Sequence, residues 1–112
     1  MDYKQPRKNV KTGPEAAGAM RLRRYMLARG WYSKKLHGGK YQSGLPDNVY
    51  MHSLHGLKWI ETKAPGEWLR PSQVKCFGEF EKYGQQVYVL EDEQDYPKLF
   101  KTTGNWRAYI RC

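Results

Sequence analysis

The chain has 112 residues, a net charge of +9, 39% hydrophobic residues and two cysteines. That length builds one compact domain with a modest core and leaves no room for a second. No apolar run approaches membrane-spanning length, the first residues lack an apolar signal region, and Cys76 and Cys112 have neither zinc-ligand spacing nor a disulfide framework. A soluble, cytoplasmic protein in a reducing compartment is therefore expected, without a membrane or small-molecule cofactor.

The charge is unevenly spread. Residues 1–40 hold eleven Lys and Arg against two acids, whereas residues 41–112 hold nine against nine. Residues 1–13, poor in apolar side chains and carrying Pro6 and Gly13, read as a flexible basic arm. Pro14 suits the first turn of a helix and Glu15 its positive end, so a helix is predicted from Pro14 to about Arg29, stopped by Gly30. Glu15, Ala19, Leu22 and Met26 recur at helical spacing, which puts Glu15 at the head of the apolar face. Trp31–Leu36 reads as a strand. Arg21, Arg23, Arg24, Arg29, Lys34 and Lys35 lie inside these elements and are candidate phosphate contacts. The glycine-rich stretch from His37 to Gly44 is a turn or loop that either touches a polyanion through Lys40 or Tyr41 or merely connects.

The next stretch carries the chemistry. Asn48–Ser53 and Leu57–Lys63 read as two strands joined around His55-Gly56, an antiparallel hairpin. Side chains alternate with period two, so Leu57, Trp59, Glu61 and Lys63 share one face while Lys58, Ile60 and Thr62 share the other. Asp47, at the mouth of the first strand, is thereby set near Glu61 at the far end of its partner. Two neighbouring carboxylates repel unless a cation lies between them, and oxygen ligands with open positions suit Mg²⁺ or Mn²⁺. Such an ion lowers the pKa of water and neutralises phosphate charge, and Lys63 would stabilise the charged transition state.

Ala64-Pro65-Gly66 ends the strand. Pro71 opens a helix that runs to Tyr83 and is capped by Gly84, with Val74, Phe77, Phe80 and Tyr83 on its apolar face. Gln73 falls in its first turn, where a side chain and unpaired amides can hold a phosphate or a metal-bound water. Gln85–Leu90 reads as a strand beside the hairpin, and the acidic run Glu91–Asp95 as a solvated helix start before Pro97. Leu99 and Phe100 are expected to pack onto the sheet. The alternation of Trp106, Ala108 and Ile110 with Arg107, Tyr109 and Arg111 predicts a short final strand that closes the core or faces a second copy of the chain. The fold class is α/β, a mixed sheet of about four strands flanked by helices.

Gly-Leu-Pro-Asp at 44–47, Ile-Glu-Thr-Lys-Ala-Pro-Gly at 60–66 and Leu-Arg-Pro-Ser-Gln at 69–73, in that order, resemble the virus-type replication-repair nuclease (VRR-NUC) family of the PD-(D/E)xK nuclease superfamily. The resemblance covers roughly residues 14–96, and residues 14–112 form the single domain it implies, with a restriction-endonuclease-like core. It further implies that Asp47 and Glu61 ligate Mg²⁺ or Mn²⁺ with the backbone carbonyl of Thr62, that Lys63 is catalytic, that Gln73 supports the site, and that Glu15 joins the metal from the first helix. Without the resemblance, Glu15 reads as a dipole partner and Gln73 as a surface residue.

By the same resemblance the activity would be endonucleolytic hydrolysis of DNA to a 5′-phosphate and a 3′-hydroxyl. Compact members that consist of this domain alone resemble phage proteins acting on branched DNA such as four-way junctions, where a homodimer supplies two symmetric cuts. Two other functions fit the composition. A basic domain rich in Trp and Tyr can bind nucleic acid without cutting it, and a nuclease of this type can nick plain duplex.

Overall fold

The computed structural model of the chain describes residues 14–36 and 44–111. The basic arm, His37, Lys40 and Tyr41 lie outside these residues. The element order is helix α1 (Pro14–Ala28), strands β1 (Tyr32–Lys35), β2 (Asn48–His52) and β3 (Gly56–Thr62), helix α2 (Pro71–Lys82), strand β4 (Val87–Leu90), and two 3₁₀ segments, η1 (Glu93–Phe100) and η2 (Trp106–Tyr109). The sheet order is β1-β2-β3-β4, with the first two pairings antiparallel and β3–β4 parallel. This is the mixed four-stranded α/β architecture expected from the sequence. No described helix is long and apolar enough to cross a membrane.

Period-two alternation splits the core into two layers. Ile60, Tyr50, Tyr88 and Leu90 point to one face, where they meet Leu22 and Met26 of α1 together with Trp31, Tyr96 and Leu99. Val87 and Val89 point to the other, against Phe77 of α2, Leu69 and Trp106, with Trp59 and Phe80 partly buried beside them. The apolar stripe of α1 is thus carried by Leu22 and Met26, while Glu15 and Ala19 are half-buried. Helix α1 meets the end of β3 at buried Gly18, where a Cβ would make ordinary contact with Thr62 Cγ2 at 3.6 Å. Both helices end where a glycine takes positive φ. Trp31 N–H reaches Met26 O and Gln85 N–H reaches Phe80 O, closing the last turns over Gly30 and Gly84.

The C-terminal strand read from the sequence is not formed. Trp106–Tyr109 is instead a 3₁₀ turn, because Asn105 has already taken the edge of β4: its Oδ1 accepts from Val89 N–H at 2.7 Å and its Nδ2 donates to Val89 O at 2.9 Å. A side chain thus satisfies the edge that another strand would have used. Trp106 still closes the core, edge-on to Phe77. Asn105→Ala orphans both Val89 groups, and a loss of about 1–3 kcal/mol is expected in urea unfolding.

Two smaller expectations also change. Leu99 packs onto the sheet as foreseen, but Phe100 stays exposed. The acidic run does start a helical turn, capped by Asp92 Oδ1 accepting from Gln94 N–H at 2.9 Å. Asp95, however, is buried: it accepts from Glu91 N–H at 2.7 Å and pairs with Lys98 at 2.8 Å. Burial opposes its ionisation, but Lys98 and the two backbone amides outweigh it and hold the carboxyl below its usual range.

Candidate active site

The β2–β3 register, in which Asn48 faces Ile60 and Val49 faces Trp59, continues by one step to set Asp47 opposite Glu61 on the face shared with Trp59. Two reciprocal bonds lock this step. Asp47 N–H donates to Glu61 Oε1 at 3.1 Å, and Thr62 N–H donates to Asp47 Oδ2 at 3.1 Å. Glu61 is 1% exposed, and its other oxygen, Oε2, accepts from Gln73 Nε2 at 2.8 Å and lies 3.5 Å from Lys63 Nζ. Lys63 is itself buried, anchored by its N–H to Leu90 O at 3.0 Å.

Helix α2 delivers Gln73 from the opposite side. Its side chain caps the helix start: Oε1 accepts from Arg70 N–H at 2.9 Å, which leaves Nε2 for Glu61. The helix start is held against the Asp47 loop by Gly44, whose φ is +91° and whose Cβ position lies 2.3 Å from Ser72 O. Any side chain there pushes the loop off α2 as well as straining the backbone. Gly44→Ala is expected to lower stability by about 2–4 kcal/mol in thermal or urea unfolding, with loss of the Gln73–Glu61 contact.

The electrostatics follow from this packing. Burial, and next the charge of Asp47, push the Glu61 carboxyl up to about 7, against the bond from Gln73 and the charges of Lys63 and Arg70. Arg70 was not singled out in the sequence. The available signal was its place between Leu69 and the helix-opening Pro71, which brings its charge to bear on Glu61.

Asp47, Glu61, Thr62, Lys63 and Gln73 therefore come together. Glu15, half-buried in the first turn of α1, belongs to the helix on the other face of the sheet from α2. The basic candidates are divided. Lys34 is in register with Val49 and Trp59, on the site's face, whereas Lys35 is in register with Asn48 and Ile60, on the α1 face. Arg21 and Arg24 are exposed on α1, and Arg29 folds back, stacking 3.7 Å over the Tyr25 ring and donating to Tyr25 O.

The donor set fits a hard divalent cation. Asp47 Oδ2 and Glu61 Oε1 each use one lone-pair direction on a backbone amide, and each carboxylate oxygen offers two. Among the described residues no three His, Cys, Asp or Glu side chains gather as a metal cluster. Two carboxylates and a carbonyl suit an ion that keeps several waters, as Mg²⁺ does, better than an ion that demands a full protein cage.

Compared with solved structures, the chain is similar to one described as a VRR_NUC domain, with 22% identical residues, a TM-score of 0.70, and coverage of 79% of this chain and 95% of that one. The fold is thus that of a VRR_NUC domain. No family profile and no curated protein sequence matches the chain.

Proposed function

We propose that this protein is a metal-dependent endonuclease that hydrolyses DNA phosphodiesters. The observation that carries the reading is the convergence of Asp47, Glu61, Lys63 and Gln73 on one sheet face, on a fold shared with a VRR_NUC domain. Asp47, Glu61 and the Thr62 carbonyl would hold Mg²⁺ or Mn²⁺, which supplies activated water and neutralises phosphate charge. Lys63 contributes a fixed positive charge for the developing negative charge on phosphorus-bound oxygen. Gln73 orients the Glu61 carboxyl, and its capping bond to Arg70 fixes it in turn. Glu15, from the helix on the other face of the sheet, is assigned a supporting place reached around the end of β3, where Gly18 of that helix meets Thr62, and Arg21, Arg24, Arg29, Lys34, Lys35 and Lys40 are assigned contacts to the phosphate backbone.

The substrate we assign is branched DNA, cut by a homodimer during phage replication or recombination, in the cytoplasm of the host. The support is the resemblance of the 44–73 motifs to the VRR-NUC family, on a fold shared with a VRR_NUC domain. The test is incubation of a labelled four-way junction and a matched linear duplex with the protein in Mg²⁺ or Mn²⁺, with EDTA as control. Cleavage of the junction well above the duplex is expected. Equal cutting of both would make the protein a general nickase, and binding without cleavage in either metal would make it an accessory binding module.

A further inference from the structure

A cavity of about 280 Å³ opens at the carboxyl ends of the parallel strands β3 and β4. Both of its walls leave the sheet at the rung that holds Lys63. Lys63 N–H bonds to Leu90 O, the next residue, Glu91, lines the cavity, and the loop after Lys63 supplies Trp68. Only Ala64 and Pro65 separate Lys63 from Gly66, where that wall begins, so the two lie within ~11 Å along the chain.

The walls are aromatic and held in place. Trp68 and Tyr109 line the cavity with Ala108. Ala64 N–H donates to Glu67 Oε1 at 2.7 Å, Glu67 N–H to Ala64 O at 3.0 Å, and Leu69 N–H to Tyr109 O at 2.9 Å. The first two bonds close the loop on itself and the third ties it to η2, and Trp68 is 47% exposed. A half-exposed indole on a loop held by its backbone offers a flat stacking surface.

The charge excludes one class of ligand. Glu91 lines the cavity beside Glu67, whose Oε1 is engaged by Ala64 N–H, and Lys98, the cation among the described lining residues, is paired with Asp95. Burial, then Glu91, Asp95 and Asp92, push the Tyr109 hydroxyl up to about 12, so the phenol stays protonated and these acids gather around it. Such a cavity repels phosphate and favours a flat neutral ring that carries N–H donors.

Resting on the nuclease reading, we propose that this cavity is a stacking subsite for one unpaired nucleobase near the scissile phosphate of branched DNA, favouring a base whose exocyclic amine donates to Glu91. Cytosine and adenine present such an amine and thymine does not. Because stacking on one aromatic side chain is worth ~5- to 100-fold in affinity, the subsite selects branch points over closed duplex.

The test is fluorescence anisotropy in EDTA with a labelled hairpin duplex that carries one unpaired nucleotide, cytosine, thymine or an abasic residue, and with the same duplex fully paired. The wild type is expected to bind the cytosine probe at least fivefold more tightly than the abasic one. Trp68→Ala is expected to erase that difference without changing affinity for the paired duplex, and Glu91→Gln to remove only the preference for cytosine over thymine. Equal binding of all probes by the wild type, or an equal loss on all probes in Trp68→Ala, overturns the subsite. Base discrimination without cleavage in Mg²⁺ or Mn²⁺ would sink the nuclease reading and leave the subsite standing; cleavage without discrimination would do the reverse. Absence of DNA binding in EDTA overturns the subsite, and the cleavage assay alone decides the nuclease reading.

Discussion

Lys63→Met is expected to reduce DNA cleavage by about 10²–10³-fold, the usual cost of removing a preorganised charge from a transition state, while leaving the fold intact. Two effects must be separated. The ammonium lies 3.5 Å from Glu61 Oε2 and is among the charges that lower the proton affinity of that carboxyl. Without it Glu61 holds its proton more tightly, which weakens cation binding near neutral pH, and that part of the loss is recovered by raising the pH. The contribution of Lys63 to the reaction is not. Rates measured from pH 7 to 9 at saturating Mn²⁺ should therefore leave most of the defect in place. Full recovery at high pH would reduce Lys63 to a residue that tunes Glu61. Methionine keeps the volume, and replacing one member of a buried ion pair by an apolar side chain is tolerable here because Glu61 can take up a proton.

The second large effect is a pH-dependent response to divalent cations. Glu61 has a folded-state value of about 7 against an ordinary 4.5. A carboxyl whose value is raised on folding binds more protons folded than unfolded. Its contribution to stability is therefore fully present below about 4.5 and is lost as pH rises toward 7. The cost of ionising it is on the order of 3 kcal/mol, with little solvent screening because the group is buried. A cation that binds only the ionised form offsets this cost. Mn²⁺ or Mg²⁺ is thus expected to raise the melting temperature more at pH 8 than at pH 6, with a larger proton release on binding at pH 6. Asp47→Asn should abolish the cation-induced shift at both pH values. It should also make the metal-free protein more stable at pH 8, since the charge of Asp47 is one cause of the raised Glu61 value. An equal cation-induced shift at pH 6 and pH 8 would contradict this assignment.

The carboxylate site was legible in the sequence because local rules sufficed to assemble it. Period two puts Glu61 and Lys63 on one face, and the glycine-bearing turn at His55-Gly56 makes the hairpin whose register brings Asp47 to Glu61. Pro71 fixes the helix start that aims Gln73. What escaped was decided by groups far apart in the chain. The alternation around Trp106 is strand-like, but Asn105, sixteen residues from Val89, bonds to it through a side chain, and no local pattern announces that. The burial of Asp95 depends on amides and a lysine gathered by the 3₁₀ turn that it helps to start.

The basic residues show the same limit. Alternation alone assigns Lys34 and Lys35 to opposite faces, but only the packing of Leu22 and Met26 on Ile60 and Tyr50 tells which face α1 covers. Arg70 was marked in the sequence only by its place before the helix-opening Pro71. Its influence on Glu61 comes from the helix start meeting the end of β3, a contact that Gly44 makes possible by its lack of a side chain.

The most direct measurement is anomalous diffraction from crystals soaked in Mn²⁺. A peak about 2 Å from carboxylate oxygens of both Asp47 and Glu61 is predicted, and it should vanish in Asp47→Asn. Manganese bound elsewhere, with neither carboxylate in its coordination sphere, would contradict a shared divalent cation as the centre of this site.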